Sequence, residues 1–235
     1  MSGSTKPNDF SQMKKNSVSS KGQLRETNFV RFENPEGNGI KVMFIGNSIT
    51  LHGFLPSIGW HGEWGMAASQ KENDYVHILM GKIRKSHPDA AFCICQVAEW
   101  ERQYKNGAST HHYFENARAF DADIIVMRTV ENCPAQDIDN GLFKKELGDL
   151  LHYLNPNKKA KFVLSTAFWH HPLDGAIEEY AAEKGLPIVL LGDLGEKDEM
   201  KALGLFEHEG VANHPGDLGM QTIAERLFSE IKKQL

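Results

Sequence analysis

Five short apolar runs alternate along this chain with stretches of helical spacing, and that alternation leaves few folds open. Val42–Ile45, Ala91–Val97, Ile124–Thr129, Phe162–Ala167 and Ile188–Leu191 have strand length and read as buried strands. Between them, Asn73 or Asp74 can cap a helix that carries Val76, Leu79, Met80 and Ile83 on one face. A second helix aligns Phe143, Leu147, Leu150, Leu151 and Leu154 and stops at Asn155-Pro156. Ile177, Tyr180 and Ala181 mark a third, closed by Gly185, and the last runs from Asp217 to about Gln234. Apolar strands alternating with helices predict a parallel sheet covered on both faces, with right-handed crossovers. Asn28–Asn34 reads as a short extra strand ahead of it. A length of 235 residues fits one such domain over residues 27–235, preceded by a polar tail over 1–26. The tail lacks the apolar segment of a secretory signal. The Met-Ser-Gly-Ser opening has the look of an added leader, so the compartment stays open: cytoplasmic as the sequence stands, periplasmic or secreted if a signal once preceded it.

In open parallel sheets, ligands bind beyond the carboxyl ends of the strands. Ser48 follows the first strand, Ala98-Glu99-Trp100-Glu101 the second, Glu131-Asn132 the third, Trp169-His170-His171 the fourth and Asp193 the fifth. His214 lies just before the last helix. A serine, a histidine and an asparagine thus meet on one rim, and they supply a nucleophile, a base and an oxyanion donor for acyl transfer. The stretch from Leu51 to Asn73 is long, and Trp60, Trp64 and Met66 within it argue for an ordered loop that could rim or cover the site.

The strings Gly46-Asn47-Ser48-Ile49-Thr50, Ile124 to Asn132 and Gly210 to Asp217 resemble, in order, the first, third and fifth blocks of the SGNH (GDSL-like) hydrolases. The similarity covers residues 40–235. It implies a three-layer α/β/α sandwich around a five-stranded, flavodoxin-like parallel sheet of order 2-1-3-4-5. It also implies a serine esterase with Ser48 as nucleophile and His214 as base. The Ser48 N–H and the Asn132 amide would stabilise the oxyanion, with a third N–H from the loop after strand 2, placed at Glu101. Members of the family often remove acetyl groups from carbohydrates, so a small-molecule or carbohydrate ester is the expected substrate, with no cofactor.

The family's Asp-x-x-His is absent, because Val211 stands three residues before His214. Glu209 is the expected triad acid, with a dyad, Asp193, Glu207 or Glu101 as alternatives. The glycine usual after strand 2 is missing, and Val130 stands where glycine is common. These departures suit a reshaped pocket, or a binding domain that kept the fold without turnover; a lipid or thioester hydrolase using the same residues is a further alternative. Asn47, Trp64, Trp100 and Trp169 are the expected pocket residues. The pairs His111-His112 and His170-His171 lack the spacing of a helical zinc motif, so no metal is expected despite 11 histidines. A net charge of −5 argues against a nucleic-acid partner. The chain has no apolar run long enough to span a membrane. Oligomeric state is not legible in it.

Overall fold

The computed structural model describes residues 24–136 and 138–235. Six strands form one sheet: β1 (Val30–Glu33), β2 (Lys41–Gly46), β3 (Ala91–Gln96), β4 (Ile124–Arg128), β5 (Lys161–Ser165) and β6 (Ile188–Val189), in the order β1-β3-β2-β4-β5-β6. The strands β2 to β6 are mutually parallel and reproduce the order 2-1-3-4-5. The difference from five strands is β1, which pairs antiparallel with β3 and covers what would be an open edge.

Alternation along β2 sorts the molecule into three layers, because successive side chains point to opposite faces. Met43 and Ile45 pack with Phe143, Leu147 and Leu150 of α4 (Asn140–Leu154) and with Ile177 of α5 (Asp174–Lys184). Val42 and Phe44 pack with Val76, Leu79 and Ile83 of α1 (Tyr75–Arg84) and with Ile223, Ala224 and Leu227 of α7 (Asp217–Ile231). The fold is therefore the three-layer α/β/α sandwich. Shorter helices complete it: α2 (Ala98–Arg102), α3 (Glu115–Phe120) and α6 (Glu209–Ala212). The Asp74 carboxylate caps α1 by accepting the His77 N–H at 2.7 Å, and Asp139 caps α4 through the Leu142 N–H at 2.8 Å.

The tail assigned to residues 1–26 falls outside the described residues up to 23. Its last three do not behave as a tail. Leu24 packs against the core, the Arg25 N–H donates to Asn116 Oδ1 at 3.2 Å, and Glu26 accepts the Phe32 N–H at 3.0 Å. The long loop after β2 is ordered by packing. Trp60, Met66 and Ala67 gather with Ala202 and Val211 into a third apolar cluster, separate from the two that sandwich the sheet. This cluster joins the loop to the segment that carries His214. Asp217, in the first turn of α7, draws in the end of the same loop by accepting from the Ser69 N–H at 2.8 Å and the Asn73 amide at 2.8 Å. Among the described residues, no helix is long and apolar enough to cross a membrane.

Candidate active site

The sheet ends β2 at Gly46, and only a glycine fits there. A Cβ at this position would lie 1.9 Å from Thr50 Oγ1 and 2.6 Å from the Arg128 carbonyl oxygen. The chain then turns tightly, with the Asn47 carbonyl accepting the N–H groups of Thr50 and Leu51, both at 2.9 Å. The turn presents Ser48, half-buried, toward the carboxyl end of the sheet. The long loop braces it, since the Met66 N–H donates to the Ser48 carbonyl at 2.9 Å.

His214 arrives from the far end of the sequence. Its Nε2 lies 2.8 Å from Ser48 Oγ. Its Nδ1 lies 2.6 Å from the backbone carbonyl oxygen of Gly210. That oxygen can only accept, so Nδ1 carries the proton and Nε2 is left as the acceptor facing the serine. Burial disfavours the imidazolium and outweighs the Gly210 carbonyl, which favours it. The ring is pulled down to about 4 and is neutral near pH 7. Trp169 packs edge-on against the ring, with centroids 5.3 Å apart.

No carboxylate meets Nδ1 among the described residues. Glu209, expected there, is exposed, and its contribution to the segment is its backbone oxygen, which accepts the Asn213 N–H at 2.9 Å. Asp193 is engaged elsewhere, with Arg226 Nη2 at 2.9 Å and Lys197 Nζ at 2.8 Å, and Glu207 is exposed. The position at which an acid would orient the ring is taken by Gly210, and a backbone carbonyl leaves no signature in residue identity.

Beneath Ser48 and Asn132 lies a buried polar knot. Asn47 donates through Nδ2 to Glu101 at 2.9 Å and to Glu131 at 2.6 Å, and its Oδ1 accepts from Arg128. Arg128 also pairs with Glu131, whose carboxylate accepts the Phe168 N–H at 2.9 Å. Glu101 collects Thr129 Oγ1, the Val130 N–H at 2.7 Å, and both the N–H (3.2 Å) and side-chain amide of Asn132. Burial pushes the Glu101 carboxyl up, and the neighbouring Glu131 adds to this. Burial acts on Glu131 too, but the Arg128 guanidinium and the hydrogen bonds prevail and hold it below the usual carboxylate range. Val130, the residue standing where glycine is common, has φ 103°. A β-branched side chain is costly in that region, about 1–3 kcal/mol, and persists only where neighbours enforce it. The Glu101 hydrogen bond to its N–H is one such neighbour.

Ser48, Asn132 and His214 line one cavity of about 240 Å³ together with His52, Ile58, Met66, Gln96, Ala98, Arg102, His208, Gly210 and Val211. Other expected pocket residues lie elsewhere. Trp100 is fully buried against Phe143 in the core, and Asn47 is fully buried under the serine turn. Trp64 faces Trp60 and donates to the Ala68 carbonyl at 3.0 Å, away from this cavity. The Glu101 N–H, expected to point at the oxyanion, donates instead to the Val97 carbonyl at 3.0 Å inside α2. At the start of the same helix Ala98 does reach the cavity. His52, Gln96, Arg102 and His208 were not anticipated. Of these, Gln96 and Arg102 flank the second strand end, where the rim argument applies equally.

No protein-family model matches this sequence, and neither does any curated protein. Solved structures do. An esterase, EstA, from Pseudoalteromonas sp. superposes with a TM-score of 0.51 at 12% identity, covering 82% of this chain and 97% of that one. A two-domain esterase active on acetylated mannans gives 0.53 at 15% identity over 86% of this chain, which spans about half (51%) of that protein. A family two carbohydrate esterase from Clostridium thermocellum, in complex with cellohexaose, gives 0.51 at 15% identity, covering 83% of this chain and 64% of that one. With the strand order above, the likeness identifies the fold as that of the SGNH hydrolases. At identities of 12–15% the likeness is one of fold alone.

Proposed function

We propose that this protein is a serine esterase that uses a Ser48–His214 dyad. The observation that carries the reading is the 2.8 Å approach of Ser48 Oγ to an Nε2 whose partner nitrogen is held as a donor by a backbone carbonyl. Serine is a weak nucleophile until a base takes its proton, and a neutral imidazole at hydrogen-bond distance is such a base. Oγ attacks the ester carbonyl as its proton passes to Nε2. The carbonyl oxygen becomes an oxyanion. The Ser48 N–H and the Asn132 Nδ2 hydrogen not committed to Glu101 stabilise it, each donor contributing about 3–4 kcal/mol. The imidazolium then protonates the departing alkoxide, and a water activated by the same ring releases the acid. The Gly210 carbonyl orients the ring and favours the imidazolium as it forms, in the place where a carboxylate would stand.

The cavity is small, and suits an acetyl or other short acyl group rather than a whole drug-sized ligand. O-acetyl groups on carbohydrate are one substrate class that fits, supported by the esterases of this fold named above. A second reading has its own observation. A neighbouring cleft runs between Pro56–Gly59 and Leu205–His208 and shares Ile58 and His208 with the first. Of the six large hydrophobics exposed among the described residues, Leu205 lines this cleft, beside Ile58 and Phe206. An ester with an apolar chain or alcohol would bury this surface.

One experiment addresses both. Hydrolysis of p-nitrophenyl acetate, butyrate and octanoate should fall at least about 10³-fold in Ser48→Ala. Unchanged rates in that variant would refute the dyad. A kcat/KM that peaks at acetate favours the short-acyl reading; one that climbs toward octanoate favours the lipophilic ester.

A further inference from the structure

The proposed chemistry leaves several buried ionisable side chains unused, Glu101 among them. Glu101 is fully buried, and every partner it has is a donor or can act as one: Asn47 Nδ2, Thr129 Oγ1, the Val130 N–H, and the N–H and side-chain amide of Asn132. These partners come from two places. Asn47 immediately precedes the nucleophile, and residues 129–132 form the turn that carries the oxyanion donor. A group that accepts from both sides fixes their spacing. An asparagine amide carries two hydrogens on Nδ2. With one directed down into Glu101, the plane of the amide is set and the other is free to meet a substrate.

We propose that Glu101 is a positioning residue for the oxyanion donor: its carboxylate orients the Asn132 amide and ties the turn holding it to the turn holding Ser48. The proposal rests on the reading of Asn132 as an oxyanion donor. It gives the glutamate after strand 2 a function distinct from the roles of triad acid and backbone donor. It also accounts for Val130, because the turn keeps its left-handed residue while Glu101 holds the N–H of that residue. No aspartate or glutamine does the same. Aspartate is one methylene short of the far turn, and the glutamine amide would set its own N–H groups against a ring of donors.

A double-mutant cycle on kcat tests this, with p-nitrophenyl acetate as substrate and near-UV circular dichroism to establish native packing. Asn132→Ala alone should lower kcat about 100-fold. If it does not, the oxyanion reading fails, and the proposal with it. Glu101→Gln alone should lower kcat about 10- to 100-fold with KM within about twofold, because a transition-state contact is lost rather than a ground-state one. In the Asn132→Ala background the same substitution should cost less than about threefold further. Losses that multiply in the double variant overturn the proposal while leaving Asn132 as the donor, and so does a Glu101→Gln enzyme with wild-type kcat. Glu101→Asp, which keeps the charge and withdraws the reach, runs the same cycle if the glutamine variant does not fold, with the same results expected and the same results decisive.

Discussion

At His214 two influences oppose each other. Burial favours the neutral ring and the Gly210 carbonyl favours the charged one, and burial wins, so the proton is lost near pH 4 rather than 6.5. The proposed base is the neutral form. The acid limb of kcat/KM should therefore fall near pH 4, with a flat profile through 6.5; a half-maximal point at 6.5 would show a solvated histidine instead. Stability follows with a definite sign. The folded pKa lies below the unfolded value of about 6.5, so the unfolded chain gains a proton first. This residue's contribution is whole above about 6.5 and is lost as pH falls toward 4, which urea titrations at stepped pH would record. Glu209 makes a contrasting case. Its side chain is exposed and away from Nδ1, so Glu209→Gln should leave kcat/KM within about twofold. A loss of a hundredfold would give the ring a carboxylate partner after all.

Elements set the distance between Ser48 and His214. The serine turn is anchored to the sheet through Gly46 and β4, whereas His214 rides on a segment held by α6, by the antiparallel bridge of Lys201 with Pro215, and by the apolar cluster under the long loop. Trp60 is that cluster's largest member, almost wholly buried, stacked edge-on to Trp64 and close to Phe206. Its removal costs about 3–5 kcal/mol in a rigid setting. Here the cost should fall on the rim: Trp60→Ala should lose esterase activity at temperatures where the far-UV circular dichroism is unchanged. Parallel loss of both signals would show the cluster to be part of the main cores. The long loop announced its own order through Trp60 and Met66, but its partners, Ala202 and Val211, lie some 140 residues on and carry no mark of the contact.

At the scale of the molecule, the parallel, doubly covered sheet and the meeting of Ser48, Asn132 and His214 were legible from apolar periodicity and from the rule that sites gather at strand ends, while the order of the sheet was implied by the family resemblance alone. Legibility stopped where side-chain direction or backbone chemistry decides. Trp100 and Trp64 sit close to the rim in sequence yet face inward or sideways, because an aromatic residue has the same composition in a pocket as in a core. The partner of Nδ1 is a main-chain oxygen, which any residue could offer. Glu101 stood out as an acid near the site, but only the fold reveals that its side-chain hydrogen-bond partners are all donors. The apolar material itself is divided. Two clusters clamp the sheet, and the third, around Trp60 and Val211, stands apart from them. Small satellite clusters open at lower free energy than the body of a domain. In hydrogen exchange, the amides of residues 58–67 and 202–214 should then lose protection ahead of those in β2 and β4. Such sub-global opening would part His214 from Ser48 while the sheet stays closed, so the proposed dyad would switch off well before the protein unfolds.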